Sequence, residues 1–257
     1  MPTRETFLLL ETIKSHNMNK LLFSITLLCS MLLFSCQKDI QDKEPKESLN
    51  TSSAKKIKKG KEFSVRIIYV VPADRKINRT YVNAIRKAAP ILQDWYKQQM
   101  DGKTYRLNHP LIEIVQSDKT AAWFSANNGS MSGDNEFYYF FYNTYTEVSR
   151  LLGSEWDLSK YRFTIYVDAY GQTGAGTTGF AIMPEHDLKG LSGQMTEPVS
   201  RWIGGWGHEL GHAFGLPHPD DSIYWNQALM GEGYLIFPNS LLLETDKEML
   251  NNSGFFF

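Results

Sequence analysis

The sequence predicts an α+β domain, α/β-like in its order of elements, with a mixed twisted sheet, an antiparallel edge strand and an irregular C-terminal subdomain. Short runs of β-branched residues alternate with amphipathic helical patterns from residue 63 onward, as expected of a sheet covered by helices. About 195 residues follow position 62, enough for one domain with its own core.

The first half of this domain is predicted to contain two strands and a long helix. Phe63–Val71 is apolar and rich in β-branched residues, which predicts a largely buried strand. Asn78–Met100 has helical periodicity and includes Pro90. Leu111–Val115 predicts the second strand. The apolar face of the helix consists of Tyr81, Ile85, Ala88, Leu92 and Trp95.

The next segments continue the alternation. Phe137–Leu152, which is crowded with aromatic residues, predicts a second helix, and Phe163–Val167 predicts a third strand. Gly179–Met183 predicts a further strand, which precedes a glycine-rich helix. After that helix the chain is expected to be irregular, with a short terminal helix near Leu241–Leu250.

The most informative segment is His208–His218, which reads H-E-x-x-H-x-x-G-x-x-H. His208 and His212 are four residues apart, so on a helix both imidazoles lie on one face, as needed to bind one zinc ion at ~2.0–2.1 Å. Gly215 can adopt the left-handed conformation that ends a helix, which would let His218 return as the third ligand. Glu209 is the candidate base for a metal-bound water at the open fourth position.

The same helix needs support from packing. Gly204, Gly205, Gly207 and Gly211 each cost ~1 kcal/mol relative to alanine in a helix interior. They either leave room beside a metal ion or permit close packing against the sheet. The apolar stripe that would anchor the helix in the core consists of Val199, Trp202, Ile203, Trp206, Leu210 and Phe214.

The motif resembles the zinc-binding signature of the metzincin clan of zinc endopeptidases. Met230, twelve residues after His218, is similar to the clan's methionine turn, and Pro219 is similar to the serralysin branch. Some branches place a tyrosine two residues after this methionine. Here that position is Glu232 and the tyrosine is Tyr234, so the resemblance assigns no tyrosine ligand.

The resemblance covers residues 63 to 257 and implies a zincin fold with one catalytic Zn²⁺. It implies a peptide or protein substrate that lies antiparallel along an edge strand. The residues that match this strand are Gly179, Phe180, Ala181 and Ile182. Together with the front of the chain, the sequence is similar to bacterial zinc-dependent metalloproteinase lipoproteins.

The front of the chain is typical of an exported lipoprotein. Lys20 precedes fourteen largely apolar residues, 21 to 34, which suits a signal-peptide core and is short for a membrane span. Leu33–Cys36 resembles the bacterial lipobox, which implies cleavage before Cys36 and a lipid on this cysteine. An ordinary signal peptide and a buried helix remain alternatives. Because residues 1–17 fit a signal poorly, we expect translation to start at Met18.

Residues 37–62 are polar and charged, which predicts a flexible tether between signal peptide (1–36) and domain (63–257). The basic run 55–61 would either touch anionic lipid headgroups or be a solvated linker. Cys29 and Cys36 are the two cysteines, so the domain is expected to have no disulfide. These features predict a monomer, lipid-anchored at the periplasmic or outer face of a bacterial membrane.

Several other features of the sequence bear on function. A net charge of −1 argues against a nucleic-acid partner. Gly174–Gly179 fits G-x-G-x-x-G, but a strand follows it where a nucleotide site needs a long helix. His109 and His186 are isolated and expected to be exposed. Asp220 and Asp221 would bind a structural calcium ion, orient a zinc-binding histidine or form a solvated turn. The alternative function is an inactive, lipid-anchored protein that binds peptide or glycan on a zincin scaffold.

Overall fold

The computed structural model describes residues 63–129, 135–220 and 223–257. The predicted signal peptide, the lipidation site at Cys36 and the tether lie outside the described residues. Within the described ranges, no helix combines the length and the apolar character that crossing a bilayer requires.

A five-stranded mixed sheet forms the centre of the domain. Its strands are β1 (Ser64–Val71), β2 (Leu107–Gln116), β3 (Tyr161–Val167), β4 (Ala175–Thr177) and β5 (Phe180–Met183), in the spatial order β2-β1-β3-β5-β4. All neighbouring pairs are parallel except β4 and β5, which are antiparallel. The predicted fold class, a mixed sheet with an antiparallel edge strand, is confirmed.

Helices cover both faces of this sheet. The described residues form α1 (Arg79–Gln99), α2 (Ala121–Phe124), α3 (Tyr139–Leu152), α4 (Glu185–Leu191), α5 (Val199–Phe214) and α6 (Glu244–Asn252). Short 3₁₀ turns occupy Glu136–Tyr138, Gly153–Glu155 and Gly233–Ile236. The Asn78 side chain accepts a hydrogen bond from the backbone N–H of Thr80, which caps α1 where the sequence predicts its start.

The predicted strands and long helices are confirmed, most to within two or three residues at each end. Strand β2 is the exception, since it is ten residues long where five were expected. Helix α4 and strand β4 were not predicted.

The position of the edge strand was predicted wrongly. Phe180, Ala181 and Ile182 belong to β5, which pairs with β3 on one side and β4 on the other, and Gly179 lies in the turn before it at φ +108°. The four residues of β5 are all buried, which suits an interior strand. The last strand on that side of the described sheet is Ala175–Thr177, whose small residues give little strand signal.

Strand β1 shows how the sheet divides the core. Ile67, Tyr69 and Val71 point to the face covered by α1 and α5, whereas Ile68 and Val70 point to the face covered by α3. Every residue of β1 is buried because helices lie over both faces. The larger of the two apolar clusters is the one that holds α5.

Helix α5 is anchored to the sheet by Trp206. Its indole is 1% exposed and donates a hydrogen bond from Nε1 to Oγ1 of Thr164 on β3, at 3.0 Å. The ring also contacts Tyr166 edge-on, with centroids 5.5 Å apart. The predicted apolar stripe is buried except at its first residue, Val199, which is 38% exposed at the start of the helix.

We predict that Trp206→Phe destabilises the domain by about 1–3 kcal/mol, because it removes the buried indole donor and leaves the Thr164 hydroxyl without this partner. Urea unfolding would measure the loss. A double-mutant cycle with Thr164→Val separates the hydrogen bond from the lost ring volume. Strictly additive effects in the cycle would contradict a contribution from the hydrogen bond.

Candidate metal centre

Three imidazoles converge at the C-terminal half of α5. Nε2 of His212 lies 3.2 Å from Nε2 of His208 and 3.1 Å from Nε2 of His218, and the remaining pair is 3.3 Å apart. Two nitrogens bound at ~2.0–2.1 Å to one tetrahedral ion are about 3.3 Å apart. The triangle therefore fits a single tetrahedral cation with three nitrogen ligands.

Backbone carbonyls fix the ring orientations. Nδ1 of His208 lies 2.8 Å from the carbonyl oxygen of Leu229, and Nδ1 of His212 lies 2.8 Å from that of Leu216. Because a carbonyl only accepts, each Nδ1 must carry the proton and donate. Nε2 of both rings therefore presents its lone pair to the centre of the triangle, as a metal ligand requires.

Gly215 brings His218 back to the helix. It follows α5 in the left-handed conformation, with φ 102° and ψ 8°. Its N–H donates to the His212 carbonyl, and the N–H of Leu216 donates to that of Gly211, which closes the helix end. A residue with a Cβ would be strained at this φ, so glycine sets the direction of the chain that carries His218.

The segment around Met230 packs directly against α5. Met230 is fully buried, and a Cβ placed on Gly211 would lie 2.3 Å from its sulfur. A Cβ on Gly204 would lie 2.3 Å from the carbonyl oxygen of Tyr234. The helix glycines therefore permit close packing, but against the C-terminal segment and α1 and not against the sheet as expected.

Burial sets the charge states of the motif. It lowers the pKa of His208 to about 4, and the neighbouring imidazoles lower it further while the Leu229 carbonyl opposes the shift. Burial also lowers the pKa of His212. Both rings are therefore neutral at pH 7 and able to donate lone pairs to a cation.

Glu209 is the carboxylate beside the triangle. Burial raises its pKa to about 8, the charge of Asp187 raises it too, and a hydrogen bond from the backbone of Gly176 opposes the rise. A cation on the three imidazoles would lower this pKa, since it favours the charged carboxylate. The carboxyl group is thus positioned to exchange a proton near neutral pH.

Strand β4 lies against the motif itself. A Cβ on Gly176 would lie 2.4 Å from the carbonyl oxygen of Glu209 and 2.8 Å from Cβ of His212. The segment Gly174–Gly179, which fits G-x-G-x-x-G, therefore contains the sheet edge that lies against the helix of the triangle. A signal was present in the sequence, since glycine within a strand often marks a close backbone approach.

A cleft of about 120 Å³ opens next to the triangle. Tyr234 forms part of its wall, and its ring packs edge-on against His208 with centroids 5.3 Å apart. His186 was expected to be an exposed loop residue but lies on α4 and lines this cleft. The residues that line it are Thr173, Gly174, His186, Asp187, Arg201, Gly205, His208, Glu209 and Tyr234.

The other sequence candidates lie away from this centre or outside the described ranges. His109 is exposed on β2. Asp220 is described, but Asp221 is not, so the calcium hypothesis stays a prediction.

No family model and no curated protein matches the sequence. Among solved structures, catalytically inactive OgpA from Akkermansia muciniphila, in complex with an O-glycopeptide (glycodrosocin) substrate, aligns with a TM-score of 0.55 at 18% identity, over 76% of this chain and 62% of that chain. Wild-type OgpA aligns with a TM-score of 0.54 at 19% identity, over 75% of this chain and 61% of that chain. Archaemetzincin from Methanopyrus kandleri aligns with a TM-score of 0.41 at 15% identity, over 73% of this chain and 94% of that chain.

The likeness to OgpA concerns the fold. The chain has a zincin-like fold and spans less than two thirds of the OgpA chain.

We predict that Gly176→Ala destabilises the domain by about 1–3 kcal/mol, because the new methyl group meets the helix backbone at Glu209, which cannot move aside cheaply. Chemical denaturation would measure the change. Gly174→Ala is the matched control, since its Cβ meets neighbours at ordinary distances of 3.4–3.6 Å. Equal stability of the two variants would argue against the close strand–helix contact.

Proposed function

We propose that the chain is a zinc-dependent endopeptidase of the metzincin type. The observation that carries this proposal is the triangle of Nε2 atoms, 3.1–3.3 Å apart, with the carboxyl group of Glu209 beside it. His208, His212 and His218 would hold the ion. Bound zinc would lower the pKa of a coordinated water towards neutrality and polarise the scissile carbonyl.

Glu209 would carry the proton through the reaction. Its carboxylate accepts a proton from the attacking water and later delivers it to the leaving amine. The burial that raises its pKa favours acceptance of the proton from water, since a buried carboxyl group is less costly when neutral.

Strand β4 is the proposed docking edge for the substrate. A peptide added to Ala175–Thr177 would pair through backbone hydrogen bonds and would lie next to Glu209, because Gly176 contacts the helix there. We propose this strand in place of the predicted segment 179–182, because Phe180, Ala181 and Ile182 pair on both sides within the sheet.

The substrate class that we propose is a peptide, with or without sugars. OgpA is described with an O-glycopeptide substrate, and its shared fold makes glycopeptides a reasonable class to test alongside plain peptides.

We predict that Glu209→Ala retains zinc but loses peptide cleavage by a factor of at least 10² to 10⁴, roughly the contribution of general base catalysis. His218→Ala should lose both zinc and cleavage, because one of the three ligands is removed. Metal analysis and cleavage of a mixed peptide library, with and without chelator, measure both. Retained turnover in the Glu209 variant contradicts its role. Substrate binding without cleavage by the wild type would favour the inactive binding protein instead.

We also propose that the protein is exported and anchored to a bacterial membrane by lipid on Cys36. The support is the apolar run 21–34 followed by a lipobox-like sequence and a polar tether.

Cys36→Ala is expected to move the protein from the membrane fraction to the soluble fraction, because a lipidated cysteine supplies the proposed anchor. Cell fractionation with immunoblotting measures this. Cys29→Ala is the control and should leave the distribution unchanged. Membrane retention of the Cys36 variant would rule out the lipid anchor.

A further inference from the structure

Two opposite charges line the cleft without pairing. Arg201 on α5 and Asp187 on α4 both contribute to its wall, next to His208 and Glu209. Within the described ranges, the Arg201 side chain has no carboxylate oxygen within 4.0 Å and makes no hydrogen bond. The two side chains therefore both keep hydrogen-bonding capacity for something that enters the cleft.

Aromatic rings hold the Arg201 guanidinium in place. It lies over the ring of Trp202 at 4.2 Å from the centroid and over that of Tyr234 at 5.1 Å. A Cβ on Gly205 would lie 3.1 Å from its Nη1, so the guanidinium follows the helix surface towards His208. Ring contacts fix its position but leave its N–H donors unused.

Asp187 carries an unmet acceptor. It is 7% exposed, and its Oδ2 is buried without a hydrogen-bond partner among the described residues. Nε2 of His186 lies 3.2 Å away but outside hydrogen-bonding geometry, so it does not satisfy the oxygen. The hydroxyl of Tyr166, which Asp187 influences electrostatically, is also buried without a partner. Unsatisfied buried polar atoms are rare and point to a missing partner.

The two charges together disfavour a charged occupant. A cationic side chain would be attracted by Asp187 and repelled by Arg201. An anionic side chain would be attracted by Arg201 and repelled by Asp187. An apolar group would leave both charged groups desolvated without hydrogen bonds, which is costly. A neutral group that accepts from the guanidinium and donates to the carboxylate satisfies both.

We propose that Arg201 and Asp187 form a specificity subsite for a neutral substrate group that both accepts and donates hydrogen bonds. Two sources carry this chemistry: the carboxamide of asparagine or glutamine, and the hydroxyls of a sugar on serine or threonine. The subsite rests on the proposed peptidase function, because it lies beside the proposed catalytic centre.

The experiment compares matched peptides on zinc-loaded protein. A positional-scanning library first locates the position at which the wild type discriminates. Peptides that differ there in glutamine, leucine, glutamate, lysine or O-glycosylated threonine are then assayed for cleavage by the wild type and for binding to Glu209→Ala. We expect the peptide with glutamine or the one with the sugar to be cleaved and bound about tenfold better than the other three. The better of these two identifies the source of the recognised group.

Two variants test Arg201 and Asp187 separately, because each should change which peptide the protein prefers. Arg201→Gln leaves Asp187 unopposed, so preference should shift towards lysine. Asp187→Asn leaves Arg201 unopposed, so preference should shift towards glutamate. A subsite without this role would lower binding of all five peptides alike. That result, or a wild-type preference for a charged or apolar residue, overturns the proposal.

Binding to Glu209→Ala separates the two proposals. If the wild type cleaves nothing while the binding order holds, the peptidase proposal fails and the subsite stands. If peptides are cleaved without the expected order, the subsite fails and the peptidase stands. A protein that neither cleaves nor discriminates in binding overturns both.

Discussion

The geometry of the histidine triangle depends on one interaction, the donation from His208 Nδ1 to the carbonyl oxygen of Leu229. This bond selects the tautomer that presents Nε2 to the other two rings. It also joins α5 to the segment that carries Met230, whose sulfur packs against Gly211. One hydrogen bond therefore both orients the His208 ring and joins α5 to the C-terminal segment.

Helix α5 is shaped by what surrounds it more than by its own propensity. Its glycines weaken it as an isolated helix, and in return the backbone of the C-terminal segment approaches within contact distance on one side. On the other side Trp206 fixes it to β3. Strand β4 contacts it at Gly176, so three neighbours hold the portion that carries the histidines.

Much of the fold and the histidine triangle could be predicted because their signals are local. The three histidines lie within eleven residues, and β1 and α1 each carry a clear periodicity. Strand β4 could not be predicted, since three small residues form it and its partner β5 decides its place. Arg201 lies on α5 whereas His186 and Asp187 lie on α4, and no spacing in the sequence predicts that the two helices share one cleft.

The position of Gly215 has an energetic consequence for metal affinity. Only five residues separate His212 from His218, and the left-handed turn already directs them back towards the helix. A short, preorganised connection leaves little conformational entropy to be lost when the third imidazole is fixed. This preorganisation would raise the affinity of the proposed site for a cation.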